Sequence, residues 1–207
     1  MIKNIIFDMG GVLLDYDPPR FIDHLGVSPE DKALLLQEVF NSVEWFQLDH
    51  GTIEEKDAAD AMKARLPARL HGAADQMLSW WELEVLPVEG MAELLAELKG
   101  LGYGLYLLSN ASVRQPEYFD RLPSAQYLDG RFVSAFYKLL KPQYVIYETM
   151  LREFGLRAEE CFFVDDSTAN VEGAYCVGLS GAVFNGDVDR LRRALCAAGV
   201  PVRVGQT

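Results

Sequence analysis

The sequence predicts an α/β fold: a parallel sheet flanked by helices, with an all-helical segment inserted after the first strand. Three observations carry this reading. From Met91 onward, short apolar runs alternate with amphipathic stretches, the pattern of βαβ units. A single apolar run, Ile2 to Phe7, stands at the N-terminus, and helical periodicity without a strand separates it from the rest. Asp8, Ser109 and the Asp165-Asp166 pair each end or follow such a run, where ligands bind in open parallel sheets. Together with Lys141, they form a set that can hold a divalent metal and attack a phosphate.

The elements follow in order. Ile2 to Phe7 reads as a buried strand, ended by Asp8 and the Gly10-Gly11 pair. Leu13 to Pro19 reads as a turn or small hairpin, because Pro18-Pro19 cannot continue a helix or a central strand. Ser28-Pro29-Glu30-Asp31 is a helix start, with a capping serine, proline at the first position and early acids. Thr52-Ile53-Glu54-Glu55 reads as a second start, of the capping-box type. A third helical stretch spans about Ala73 to Val85. This segment runs for roughly 65 residues without a strand, longer than a normal connection. It is therefore expected to be an inserted helical cap over residues 18–86, with the core formed by 1–17 and 87–207.

Within the core, Met91 to Leu101 is an amphipathic helix with Leu94, Leu95 and Leu98 on one face. Tyr103 to Leu108 is a strand ending in Ser109-Asn110, and Phe132 to Phe136 is expected to be another. Pro142 opens a helix to about Phe154. Cys161 to Val164 is a strand, Gly181 to Phe184 a short strand, Val188 to Ala198 a helix, and Val200 to Val204 an edge strand. Strands separated by helices give a doubly wound, Rossmann-like sheet.

Composition bounds the partners. Among 207 residues, half are hydrophobic and 24% are charged, which is globular rather than disordered. The net charge of -12 argues against nucleic acid and anionic membrane surfaces. No apolar run approaches the ~18–20 residues of a membrane span, and no signal peptide is apparent. A cytoplasmic location is expected. Cys161, Cys176 and Cys196 fit no zinc spacing and are expected to be buried or half-buried thiols. His24, His50 and His71 are dispersed and read as solvated.

Four segments then stand out: Phe7-Asp8-Met9-Gly10-Gly11-Val12-Leu13, Leu108-Ser109-Asn110, Leu140-Lys141-Pro142 and Phe163-Val164-Asp165-Asp166-Ser167. In order and in place, they resemble the four motifs of the haloacid dehalogenase superfamily, over the whole chain. The first motif is most similar to a bacterial subgroup that includes sugar-1-phosphate phosphatases. The resemblance implies a Mg²⁺-dependent hydrolase of a small phosphorylated metabolite. Asp8 would be the nucleophile that forms an aspartyl-phosphate. Asp8, Asp166 and the Gly10 carbonyl would supply oxygens to Mg²⁺, and Asp165 would orient a metal-bound water. Ser109, with the N–H of Asn110 or Ala111, would bind a phosphate oxygen. Lys141 would offset phosphate charge and hold Asp8 ionised. Arg20, just after the predicted hairpin, is a candidate substrate contact. Tyr16 could overhang the site, while Trp45, Phe46, Trp80 and Trp81 read mainly as core of the helical bundle.

One departure from the family pattern matters. The position two after the nucleophile, where phosphatases of this superfamily commonly carry an aspartate that protonates the leaving oxygen, is Gly10. General acid catalysis typically contributes ~10²–10⁴-fold, so a good leaving group such as an anomeric or acyl phosphate would relieve its loss. Two alternatives stay open on the sequence. A 2-haloacid dehalogenase shares the nucleophile but uses no metal, so the acidic pair argues against it. A non-catalytic phosphometabolite binder rests on Gly10 alone.

Overall fold

The computed structural model describes residues 1–204 of the chain. Five strands form one parallel sheet: β1 (Asn4–Phe7), β2 (Gly104–Ser109), β3 (Gly130–Val133), β4 (Cys161–Asp165) and β5 (Ser180–Val183), in the order β3-β2-β1-β4-β5. β1 is central, pairing with β2 on one side and β4 on the other. The two strands that follow the longest excursions therefore flank the first. This puts Asp8, Ser109 and Asp165 at the same edge of the sheet.

Between β1 and the next core helix lie α1 (Pro18–Asp23), α2 (Pro29–Leu35), α3 (Val43–His50), α4 (Glu55–Arg65) and α5 (His71–Leu78). The core helices are α6 (Met91–Gly100), α7 (Gln115–Phe119), α8 (Ser134–Tyr137), α9 (Tyr144–Glu153), α10 (Thr168–Cys176) and α11 (Val188–Ala197). Successive strand residues face opposite sides, and the two sides bury different sets. Ile5, Phe7, Leu105 and Leu107 pack with Leu94, Leu95 and Leu98 of α6 and Leu191 and Leu195 of α11. Ile6, Leu108, Phe132 and Phe163 pack with Ile146, Tyr147 and Met150 of α9 and Val171 and Ala174 of α10. The α6 side continues without a break into the helical insert, through Phe21, Leu35, Met62, Met77 and Trp80. The insert shares its apolar core with the sheet rather than building a separate one.

The entry to and exit from the insert run side by side. Leu14 bridges Pro87, Asp15 N–H donates to Leu86 O at 2.9 Å, and Val88 N–H donates to Leu13 O at 3.2 Å.

Several local expectations change. Pro18 and Pro19 open α1 instead of ending a hairpin. The first helical turn has no use for their missing N–H groups, and Asp17 caps the Arg20 N–H. Ser28 caps α2 as expected. The box at Thr52 does not form: α4 begins at Glu55 without a side-chain cap, and the Thr52 hydroxyl donates back to Gln47 O at 3.4 Å. The third helical stretch ends at Leu78, with a separate turn at Trp80–Glu82. The strand expected over Phe132–Phe136 ends at Val133, and Ser134 starts α8. Val200 to Val204 is not a strand; Val200 and Val202 are buried with the α6-side core, and Val202 N–H donates to Val200 O at 2.9 Å across Pro201. Of the cysteines only Cys161 is buried, and Cys176 and Cys196 are exposed.

Candidate active site

Asp8 follows β1 directly, and its N–H still donates to Val164 O at 2.8 Å. The sheet ladder thus sets its direction. Lys141 is buried beneath it. Its ammonium lies 2.7 Å from Asp8 Oδ1 and 2.7 Å from Asp165 Oδ2, and donates to Leu108 O at 3.0 Å. A lysine has three protons to give, and all three are committed. Its depth is fixed by a reciprocal pair: Asn110 Nδ2 donates to Lys141 O at 3.1 Å, and Lys141 N–H donates to Asn110 Oδ1 at 2.9 Å.

Asp165 is fully buried at the end of β4. Besides Lys141 it accepts from Ser167 N–H at 2.8 Å and from Asn170 Nδ2 at 3.0 and 3.1 Å. Asp166 is exposed, and its side chain has no such ties among the described residues. Asp8, Asp165 and Asp166 each offer an oxygen within 4.8 Å of the others. These three carboxylates face one ammonium. Burial pushes Asp8 up to about 7; Lys141 opposes this and Asp165 adds to it. Lys141 acts on Asp8 in the expected direction, with burial the larger effect. Burial and Asp165 raise Asp166 as well.

Excess buried negative charge of this kind is what a divalent cation relieves. The donors are all oxygens, which suits a hard cation such as Mg²⁺. Room is left for it as well: a Cβ on Gly11 would lie 2.4 Å from Asp166 Oδ2, and Gly11 has φ +70°, where a side chain is strained. The uncommitted oxygens belong to Asp8 and Asp166. Those of Asp165 are occupied by Lys141, Ser167 and Asn170, which suits a role in holding its neighbours.

Ser109 is buried as the last residue of β2, and its hydroxyl has no protein partner among the described residues. Of the two backbone donors considered for phosphate, that of Ala111 is taken, since it donates to Ser134 Oγ at 2.9 Å. The N–H of Asn110 is the one left. Arg20 is a correction: it does not line the site. Its guanidinium is bound 2.7 Å from Asp15 and 2.8 Å from Glu84, acids the sequence reading did not pair with it.

A cavity of about 260 Å³ opens over Asp8, near the lower end of the ~300–1,000 Å³ of small-molecule sites. Its floor is Asp8, Gly10, Gly11, Asn110, Lys141 and Asp166. Its walls come mostly from the insert and are apolar: Tyr16, Trp45, Leu48, Leu78, Trp80 and Trp81, joined by Tyr118 from α7. Trp80 and Trp81 are thus lining as well as core, whereas Phe46 points out at 56% exposure. Trp80 stacks on Phe21 at 4.6 Å, and Trp81 on Tyr118 at 5.1 Å. The insert also sends Asp49 and Glu55 to the cavity. Sequence reading missed Leu48, Asp49, Leu78 and Tyr118. The one local signal was Asp49-His50-Gly51, an acid next to a glycine stop at the end of α3.

Residues 2–178 match the sequence profile of the haloacid dehalogenase-like hydrolases. The chain belongs to this family. Among curated proteins, the hydrolase is 34% identical over 185 residues to the sesquiterpene phosphatase astK of Aspergillus oryzae, covering 86% of this chain and 88% of that protein. It is 26% identical to the D-ribitol-5-phosphate phosphatase of Bacteroides thetaiotaomicron, covering 83% of this chain and 86% of that protein. Among solved structures it is similar to a family enzyme from Bacteroides thetaiotaomicron in complex with magnesium and inorganic phosphate, with TM-score 0.72 at 22% identity, covering 92% of this chain and 99% of that chain. It is also similar to the L-2-haloacid dehalogenase of Xanthobacter autotrophicus, with TM-score 0.66 at 20% identity, covering 97% and 84%. These structural likenesses establish the fold.

Proposed function

We propose that this hydrolase removes the phosphoryl group from small phosphate monoesters whose alcohol part is apolar. Family membership and the phosphatase relatives support a phosphatase, and the all-oxygen cluster of Asp8, Asp165 and Asp166 supports Mg²⁺ as its cation. The substrate class is our reading. Its support is the wall over Asp8, which is mainly aromatic and aliphatic, with Asp49 and Glu55 as the insert's only charged side chains there among the described residues. The relative at 34% identity is named for a sesquiterpene, an apolar alcohol.

In this reading, the Asp8 carboxylate attacks phosphorus in line, and the bond to the alcohol oxygen breaks. Water then cleaves the aspartyl-phosphate and regenerates Asp8. Ser109 Oγ and the Asn110 N–H hold phosphate oxygens, and Lys141 balances their charge. Asp8, Asp166 and the Gly10 carbonyl would hold Mg²⁺, with Asp165 keeping Lys141 and its neighbours in place. The cation supplies charge neutralisation, so that a carboxylate and a phosphate can approach each other. Residues 18–86 act as the cap that excludes water and selects the alcohol. No helix among the described residues is long and apolar enough to cross a membrane. Three free thiols suit a reducing compartment, and we read the location as cytoplasmic.

The test is a comparison of kcat/KM with Mg²⁺ for a C15 isoprenyl monophosphate against ribitol-5-phosphate. Burying roughly 110 Å² more apolar surface is worth about 2.8 kcal/mol, or about 100-fold. Preference for the isoprenyl ester by that order is expected, with loss of turnover in EDTA restored by Mg²⁺. Preference for the polyol would refute the apolar reading.

A further inference from the structure

An alkyl monoester leaves as an alkoxide unless something protonates its oxygen, and Gly10 cannot. Backbone geometry does not force glycine there: a Cβ at Gly10 would meet only Tyr16 carbons, at 3.6 and 3.8 Å. The proton must come from another group at the cavity. Most of the candidates are already engaged. Lys141 has all three protons committed. Glu55 is held by Arg114 at 2.8 Å. Asp8 and Asp166 are assigned to attack and to the cation. Tyr16 and Tyr118 are raised further by burial, which makes them poor proton donors. Asp49 remains. It is half-buried, lines the same cavity as Asp8, and its carboxyl makes no side-chain hydrogen bond among the described residues.

We propose that Asp49, reaching in from the helical insert, is the proton donor for the leaving oxygen that Gly10 cannot be. This rests on the phosphatase reading above.

Three ties hold Asp49 in place. The Ser134 hydroxyl donates to Asp49 O while accepting the Ala111 N–H, so a single side chain links the acid to the phosphate loop. His50 Nε2 is 3.0 Å from Lys138 O. Gly51, at φ +70°, lies so close to α8 that a Cβ would meet Ala135 O at 2.1 Å. The end of α3 is thus seated on the turn after β3. Its protonation fits the task. Burial, then the charge of Asp8, push Asp49 up to about 7, with Lys141 opposing. Its place at the C-terminal end of α3 acts in the same direction, since the helix dipole disfavours an anion there. The other groups facing the cavity are Asp166, Glu55, Tyr16 and Tyr118. An acid with its pKa near the working pH is the efficient case.

The steps balance. As Asp8 attacks and the P–O bond to the alcohol breaks, the Asp49 proton passes to that oxygen. The products are the free alcohol, the aspartyl-phosphate and an Asp49 carboxylate. In the second half, water attacks phosphorus as the bond to Asp8 breaks and its protons stay on the departing phosphate, while the Asp49 carboxylate regains a proton from solvent. Inorganic phosphate leaves, and both aspartates return to their starting states.

The experiment uses the full chain with Mg²⁺ and two substrates: an isoprenyl monophosphate, whose alcohol is a poor leaving group, and 4-nitrophenyl phosphate, whose phenolate needs no proton. Asp49→Asn is expected to lower kcat on the isoprenyl ester by ~10²–10⁴-fold. The same variant should lose less than tenfold on the nitrophenyl ester, and Asp49→Glu should recover part of the isoprenyl activity. If Asp49→Asn is unstable, Asp49→Ser read on the same two substrates replaces it. Equal losses on both substrates, or no loss on either, would overturn the assignment while the phosphatase reading stands. A wild-type chain inert toward both substrates would remove that reading and this one with it.

Discussion

The sheet edge and the helical insert meet at one cavity but are built on opposite terms. At the sheet edge, the supporting side chains are fully engaged: Lys141 by three acceptors, Asp165 by three donors, the Asn110 amide by the backbone of Lys141. Across the gap, the insert presents Trp45, Leu48, Leu78 and Trp80, with Asp49 as a carboxyl that makes no side-chain hydrogen bond among the described residues. The first region is preorganised for charge and tolerates little. The second is shaped for fit and can change its contents at small cost to the chemistry. In the function proposed here, attack and charge balance belong to the sheet, and choice of alcohol belongs to the insert.

The sharpest way to break this division is Lys141→Met. It leaves Asp8 and Asp165 buried without a counter-ion, a change that costs about 3–5 kcal/mol when one partner of a buried pair is removed. Urea unfolding should show that loss, and phosphate release should fall on every substrate alike. A loss confined to one substrate would mean that Lys141 also takes part in selection. On the insert side, Leu48→Ala should raise KM for an isoprenyl monophosphate about tenfold, in line with the ~1–3 kcal/mol value of small changes in an apolar pocket. KM for 4-nitrophenyl phosphate should barely move. Equal effects on both substrates would place Leu48 in the folding of the insert instead.

The smallest effect is on stability against pH. The raised values of Asp8 and Asp49, about 7 each, mean that the folded metal-free chain binds more protons than the unfolded chain between about pH 4 and 7. Stability should fall as pH rises through that window. The lowered values of Glu44, Glu97, Glu117 and Asp129 act the other way: their contribution is lost as pH falls through their folded-state values. Thermal melts without metal should therefore peak in mildly acid solution, and Mg²⁺ should raise Tm more at pH 8 than at pH 5. A metal-free melting curve still rising from pH 5 to 8 would contradict the raised values.

The sheet edge was legible in the sequence because its residues are tied to strand ends. Asp8, Ser109 and the Asp165-Asp166 pair each close an apolar run, and a parallel sheet gathers such ends in one place. Lys141 was legible through the family motif. The insert was not legible in this way. Helical periodicity marks which residues are buried but not whether they are buried against each other or around a cavity. Trp80 and Trp81 do both. Asp49 looks like any acid at a helix end until the insert folds over β1 and brings it opposite Asp8. Arg20 shows the converse: its neighbours Asp15 and Glu84 come from either side of the insert, and the ion pairs that remove it from the site exist only once those ends meet.

That meeting has a wider consequence. Because Leu13–Asp15 and Leu86–Val88 are joined by backbone hydrogen bonds, the sheet meets the insert through two adjacent chain ends. A helical segment of another length grafted at this seam would start with its loop already closed, and closure cost grows only slowly with length. The same catalytic base could thus accept exchangeable lids. The seam would tolerate the swap, but a donor lid would have to bring its own acid.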